Sequence, residues 1–323
     1  MTAARSSVRV GISSCLLGEP VRFDAGHKRD AFLTDIFGKF VEWVPVCPEM
    51  ECGLGAPREP MRLVREGRGV ALRTVKTNTD LTERMETFAE QRTSALAVER
   101  LSGYVLKKDS PSCGLERVKL YDRNGVAERS ARGVFAAALI ERFPDLPVEE
   151  EGRLSNPGLR ENFIERVFAY SRVRSLFAGD WTLDALVRFH TAHKLMLMAH
   201  SPDAYRRLGR LTAGASALPR KDVAQLYTTR FMSALSVLAT RRRHTNVLQH
   251  ALGYFKKQLD RASKAELLDA IDEYRRGLVP LIAPVTLLRH HVRVHQVEYL
   301  AGQLYLDPYP KELMSTGAYK QPR

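Results

Sequence analysis

The sequence predicts an α/β N-terminal domain with a Rossmann-like, mostly parallel sheet, followed by an all-α C-terminal domain. Three observations predict it. Strand-like and helix-like patterns alternate through the first half, as they do when helices cross over a parallel sheet. Apolar spacings of three and four residues take over in the second half, where few strand signals occur. A stretch rich in proline, glycine and acid separates the two, and 323 residues are enough for two domains.

Val8-Arg9-Val10-Gly11-Ile12 alternates as a strand and runs into Ser13-Ser14-Cys15-Leu16-Leu17-Gly18. Residues 40–46 are β-rich and run into Cys47-Pro48-Glu49. Residues 103–107 give a short strand before Asp109-Ser110-Pro111-Ser112-Cys113-Gly114. Each time a cysteine sits in the loop just after a strand. Residues 82–101 carry the clearest helical pattern of this half, with Asp80 or Thr82 as the capping residue. Loops at the carboxyl ends of parallel strands converge on one crevice, so three cysteines distant in sequence are expected to meet there. Residues 143–159 read as the linker, giving domains 1–148 and 149–323. Beyond it, residues 158–177, 183–200, 222–239, 244–261 and 264–277 have helical spacing.

The net charge of +13 is unevenly placed. Residues 1–150 hold 23 Lys and Arg against 22 Asp and Glu, a net of +1; residues 151–323 hold 27 against 15, a net of +12. That asymmetry points to a polyanion, nucleic acid, as the partner of the second half. Arg241-Arg242-Arg243, Lys256-Lys257 and Arg275-Arg276 are its densest clusters. No window approaches the ~18–20 apolar residues of a membrane span, and residues 1–7 lack a signal peptide's apolar core. The expectation is a cytoplasmic protein with no membrane partner.

In a reducing compartment the four cysteines are not expected to form disulfides. Buried thiols, a catalytic thiol or metal ligands remain open as readings. Thiolates suit soft metals and iron–sulfur clusters, and three of them leave one iron of a four-iron cluster open. Zinc more often shows a tight pair; Cys47 and Cys52 are the one close pair here. His190 with His193 and His291 with His295 have same-face helical spacing, but neither pair has the adjacent glutamate of a zincin.

The motifs C-L-L-G at Cys15, V-R-F-D-A-G-H-K from Val21, C-P-E at Cys47, G-L-G-A-P-R ending at Arg58 and S-P-S-C-G at Ser110 resemble the TudS-type thiouracil desulfidase family. The resemblance covers most of residues 8–140. It implies a [4Fe-4S] cluster held by Cys15, Cys47 and Cys113, with the fourth iron taking sulfur from substrate. It also implies catalytic or orienting roles for Glu49 and Ser110, and a packing role for Cys52. Asp24, His27 and Lys28 are candidate substrate contacts on the same motif. Ala25 departs from the glycine common in relatives.

The second half, over most of residues 160–312, resembles a YbgA-like C-terminal domain through F-H-T-A-H-K-L-M-L-M-A-H from Phe189, N-V-L-Q-H from Asn246 and T-L-L-R-H-H from Thr286. Residues 315–323 read as a tail. Fusions of the two resemble bacterial tRNA 4-thiouridine desulfidases of the RudS kind, which implies thiolated tRNA as partner and not DNA. Two alternatives stay open: a desulfidase of free thiouracil or thiolated nucleotides, and a non-enzymatic cluster-bearing RNA-binding or redox-sensing module.

Overall fold

The computed structural model describes residues 8–67, 69–256 and 258–314. The chain forms two compact units that divide between Phe163 and Ile164.

The first unit is built on a four-stranded sheet of β1 (Arg9–Ser13), β2 (Glu42–Val46), β5 (Gly103–Leu106) and β8 (Val148–Glu150), in the order β2-β1-β5-β8. Every pairing in it is parallel. The two central strands are apolar on both faces, as buried parallel strands are: Val10, Ile12, Tyr104, Val105 and Leu106 are all buried. Gly11 lets the Tyr104 ring lie flat on β1, since a Cβ there would come within 2.2 Å of the ring.

Between β2 and β5 come α1 (Pro48–Glu51), the hairpin β3 (Met61–Glu66) and β4 (Gly69–Thr74), and α2 (Thr82–Leu96). The β6 (Val118–Tyr121) and β7 (Ala127–Ala131) hairpin and α3 (Val134–Arg142) follow β5. The two hairpins join as a second sheet, order β4-β3-β6-β7, that sequence patterning did not foresee. Charged residues on β3, β4 and β7 obscure its alternation; only Leu63, Leu72, Val118 and Leu120 form its buried centre, with Met85 of α2. The helix at 82–101 ends early, at Leu96, and Asp80 accepts from the Thr82 amide at 2.9 Å.

The linker reading of 143–159 is corrected. Residues 148–150 are β8, the fourth strand of the parallel sheet, and Pro157 already begins a helix. An acidic V-E-E is a poor strand by propensity, but both glutamates are bonded inside the fold. Glu150 Oε1 accepts from the Leu115 amide at 2.7 Å, and Glu149 Oε1 from Arg153 Nε at 2.7 Å.

The second unit is helical. Its elements are α4 (Pro157–Leu176, from Ile164 onward), α5 (Leu183–Ala192), α6 (Lys194–His200), α7 (Pro202–Ala213), α8 (Arg220–Ser236), α9 (Arg241–Leu252), α10 (Arg261–Arg276), α11 (Ile282–Val294), α12 (Glu298–Ala301) and α13 (Lys311–Met314). Thr182, Ser201, Thr240 and Asp260 cap α5, α7, α9 and α10 through side-chain oxygens. The pattern at 183–200 splits into two helices at His193. One core gathers Val173, Leu186, Leu197, Tyr227, Phe231 and Leu288. No helix among the described residues is long and apolar enough to cross a membrane.

Candidate active site

The three cysteine loops leave the sheet at one edge. Cys15 lies in the 3₁₀ turn directly after β1, Cys47 directly after β2, and Cys113 in the loop after β5. These strands are neighbours and parallel, so their carboxyl ends deliver the three loops side by side. Cys15, Cys47, Cys113, Glu49, Ser110 and Lys28 all line one cavity of about 320 Å³. Gly133 lets the third loop settle, since a Cβ there would stand 2.4 Å from the Ser112 carbonyl oxygen.

Burial raises all three thiols. Cys15 is pushed up to about 12, with Lys107 opposing the shift. Cys47 is raised, and Cys113 is raised well above the ordinary thiol value. The nearby Ser13 hydroxyl pulls Cys113 the other way, while its Oγ accepts from the Lys107 amide at 3.0 Å.

Glu49 is bonded at both oxygens. Oε2 accepts from Arg58 Nη2; Oε1 accepts from Ser112 Oγ and, at 3.4 Å, from Ser110 Oγ. The Arg58 and Glu49 side chains are only 6% and 14% exposed. Arg58 Nη1 also donates to the carbonyls of Gly55 at 2.6 Å and Val21 at 3.0 Å, so the same guanidinium ties two pocket loops to Glu49. Ser110 does turn work as well, because its Oγ accepts from the Cys113 amide at 3.1 Å. Arg58, Ser112, Ser13 and Lys107 were not singled out from sequence. Their signal was proximity to the cysteine motifs, which cannot tell a ligand's neighbour from a loop residue.

Asp24 and His27 stand outside this lining, exposed. Asp24 accepts from the Gly26 amide, and His27 Nδ1 from the Arg29 amide. Cys52 is half-buried against the core of the second sheet. Ala25 adopts a left-handed φ of 55°, a conformation glycine reaches without steric cost. A second, open hollow of about 550 Å³ shares Lys28, Lys107 and Lys108 with the cysteine cavity and adds Arg29.

Among the described residues, no group of three or more His, Cys, Asp or Glu is arranged to hold a metal ion. The three thiols line one cavity. Their soft donor chemistry fits an iron–sulfur cofactor. His190 and His193 are bonded core groups, whereas His291 is buried and His295 half-buried. His190 Nδ1 bonds the Tyr227 hydroxyl at 3.0 Å, and His193 Nδ1 bonds the Phe189 carbonyl at 2.8 Å.

Of the basic clusters, Arg241 lies over the Tyr274 ring and Arg243 donates to the His200 carbonyl at 2.7 Å. Arg275 and Arg276 both pair with Asp272. Arg242 and Lys256 are exposed. Lys257 and residues 315–323 lie outside the described residues.

Fold and site together define a cysteine-lined α/β domain joined to a helical domain. Residues 10–151 match the family model for 2-thiouracil desulfurase, and residues 194–310 match a protein family of unknown function, DUF1722. The uncharacterized protein YbgA of Escherichia coli (strain K12) is 35% identical over 147 residues, 45% of this chain and 87% of that protein. A solved [4Fe-4S]-dependent thiouracil desulfidase, TudS, is 29% identical, with 47% of this chain and 95% of that one covered and a TM-score of 0.38. The chain belongs to the YbgA family, and its N-terminal unit carries a thiouracil desulfurase domain.

Proposed function

We propose that the protein removes sulfur from 4-thiouridine in tRNA, leaving uridine, at a [4Fe-4S] cluster held by Cys15, Cys47 and Cys113. The observation that carries this reading is the arrival of three cysteine loops, from three adjacent parallel strands, at one cavity that Glu49 and Ser110 also line. The match of residues 10–151 to the 2-thiouracil desulfurase family supports the reaction.

When bound, the cluster supplies an iron coordination site for the thiocarbonyl sulfur, because three thiolates leave one of its irons without a protein ligand. The chain's residues do the rest. Glu49 takes a proton from the water that attacks the ring carbon. Arg58 and Ser112 hold its carboxylate over the cavity. Ser110 orients the pyrimidine from the neighbouring turn. The balance is thiocarbonyl plus water giving carbonyl plus hydrogen sulfide, with no net electron transfer.

The substrate's size is the finer part of the proposal. Lys28, Arg29 and Lys108 stand at a hollow beside the cavity, and they outnumber its Asp30 once Lys107 is paired with Glu151, which supports a phosphate-bearing substrate over a bare base. The net of +12 over residues 151–323 supports a polyanion as long as RNA.

The test is to incubate anaerobically prepared protein with thiolated tRNA, with a thiolated mononucleotide and with 4-thiouracil, following the thiocarbonyl absorbance band. Fastest loss in tRNA is expected. Loss confined to the small molecules would overturn the tRNA assignment, and loss in none would overturn the activity.

A further inference from the structure

Aromatic rings in the first unit are mostly hidden: Phe32, Phe37, Tyr104 and Phe135 are all buried. Phe23 is different. Among the described residues it is the only exposed aromatic side chain, 39% open. It is also the only aromatic group lining the cysteine cavity. A lone exposed apolar residue is ordinary on an outer surface. In the wall of a cavity it is a contact surface for whatever enters.

The loop that carries this ring is fixed. The Arg22 amide donates to the Gly26 carbonyl at 3.2 Å and the Ala25 amide to the Arg22 carbonyl at 2.9 Å, closing the turn around Phe23. Arg58 anchors that turn twice, its amide donating to the Phe23 carbonyl at 2.8 Å and its Nη1 to the Val21 carbonyl at 3.0 Å. Nη2 of the same guanidinium holds Glu49. One residue therefore places the exposed ring and the carboxylate together. The Arg22 guanidinium lies over the Phe23 ring, 5.4 Å from its centroid, and Asp24 Oδ1 pairs with Arg22 Nε at 3.5 Å. A cation over one face of a ring leaves the other face free.

We propose that Phe23 is the stacking platform for the substrate, with the thiolated pyrimidine lying flat on the free face of the ring. The proposal rests on the desulfuration reading and adds to it the residue that holds the base. Every base has a π-face, so an aromatic side chain grips it whatever its edge carries. Hydrogen bonds from groups such as Ser110 act at the edge of a pyrimidine and restrain it within its own plane. A platform restrains it in the remaining direction. A base drawn out of an RNA stack loses its neighbours, and Phe23 supplies one in exchange.

The test makes the holoenzyme choose between two unreactive ligands. Uridine 5′-monophosphate has a flat ring. 5,6-Dihydrouridine 5′-monophosphate carries the same carbonyls and N3–H on a puckered ring that stacks poorly. Each is measured as a competitive inhibitor of sulfide release from 4-thiouridine 5′-monophosphate, in wild type, Phe23→Leu and Phe23→Tyr. In wild type the flat ligand is expected to bind about tenfold more tightly, within the range of one base stack. Phe23→Leu should erase that preference and raise KM for the thiolated nucleotide about tenfold, with kcat within about threefold and iron content unchanged. Phe23→Tyr keeps the ring and should restore both. Equal inhibition by the two ligands in wild type would overturn the proposal and needs no variant; so would a preference that survives in Phe23→Leu. A wild type that releases sulfide from no thiolated pyrimidine would instead overturn the desulfuration reading, so the two failures are distinct.

Discussion

The two units bury polar side chains to opposite ends. In the first, cysteines, Glu49 and Ser110 arrive from separate loops and face a cavity. In the second, four buried or half-buried polar side chains close on one another or on backbone carbonyls. His200 Nε2 meets Glu165 at 2.9 Å while its Nδ1 meets the Val237 carbonyl, and Arg172 bonds His193 at 3.3 Å and the Pro308 carbonyl at 2.7 Å. Burial alone would lower His200, yet Glu165 beside it leaves it raised. Convergence on open space makes a site; mutual satisfaction makes a scaffold. Sequence spacing alone does not tell the cysteines of the first half, which make a site, from the histidines of the second, which make a scaffold.

Breaking the first unit alone should give the largest effect. Cys15→Ala, Cys47→Ala or Cys113→Ala should each abolish desulfuration, while tRNA affinity, measured by filter binding, stays within about twofold. Parallel loss of affinity would show that the halves do not divide the work this way. Glu49→Gln comes next, with kcat reduced about 10²–10⁴-fold and the iron content unchanged; full turnover in this variant would remove Glu49 from the chemistry.

Acid should strike the second unit. Burial lowers His190 and His244 to about 4, and burial with Arg172 lowers His193 well below its ordinary value. A histidine whose folded value lies below its unfolded one takes up its proton on unfolding. Its contribution is intact above about pH 6.5 and falls away as pH drops toward 4, by up to about 1.4 kcal/mol per pH unit for each group. His200, shifted the other way, opposes this only while its pair with Glu165 remains. Urea titrations of the full chain at pH 7 and pH 5 should therefore give a lower midpoint at pH 5 for the helical transition; equal midpoints would contradict the burial argument.

Smaller effects separate partnered from exposed cations. Arg242→Ala with Lys256→Ala should weaken tRNA binding about tenfold and flatten its salt dependence by about two units of slope. Arg243→Ala, which removes the donor to the His200 carbonyl, should instead cost about 1–2 kcal/mol of stability. The smallest expected change is a gain. Ala25→Gly relieves a left-handed alanine and should stabilise the first unit by about 0.5–1 kcal/mol, read as a higher unfolding midpoint.

Much of this was legible in the sequence, for reasons that also mark where legibility ended. The parallel sheet was readable because its central strands are buried on both faces and therefore nearly all apolar. The cysteine loops were readable because each follows such a strand. β8 was not, since its two glutamates are satisfied by Leu115 and Arg153, contacts 35 residues away in one case and across a turn in the other. The Arg58–Glu49 pair was hidden in the same way, because nine positions along a loop predict no contact. The second sheet rests on two hairpins whose charged outer faces mask their alternation.

The most direct test of the account is iron and acid-labile sulfide per chain in anaerobically isolated wild type, Cys113→Ala and Cys52→Ala. The account predicts about four of each in wild type and in Cys52→Ala, with loss of both in Cys113→Ala. Full content in Cys113→Ala, or none in wild type, would contradict it.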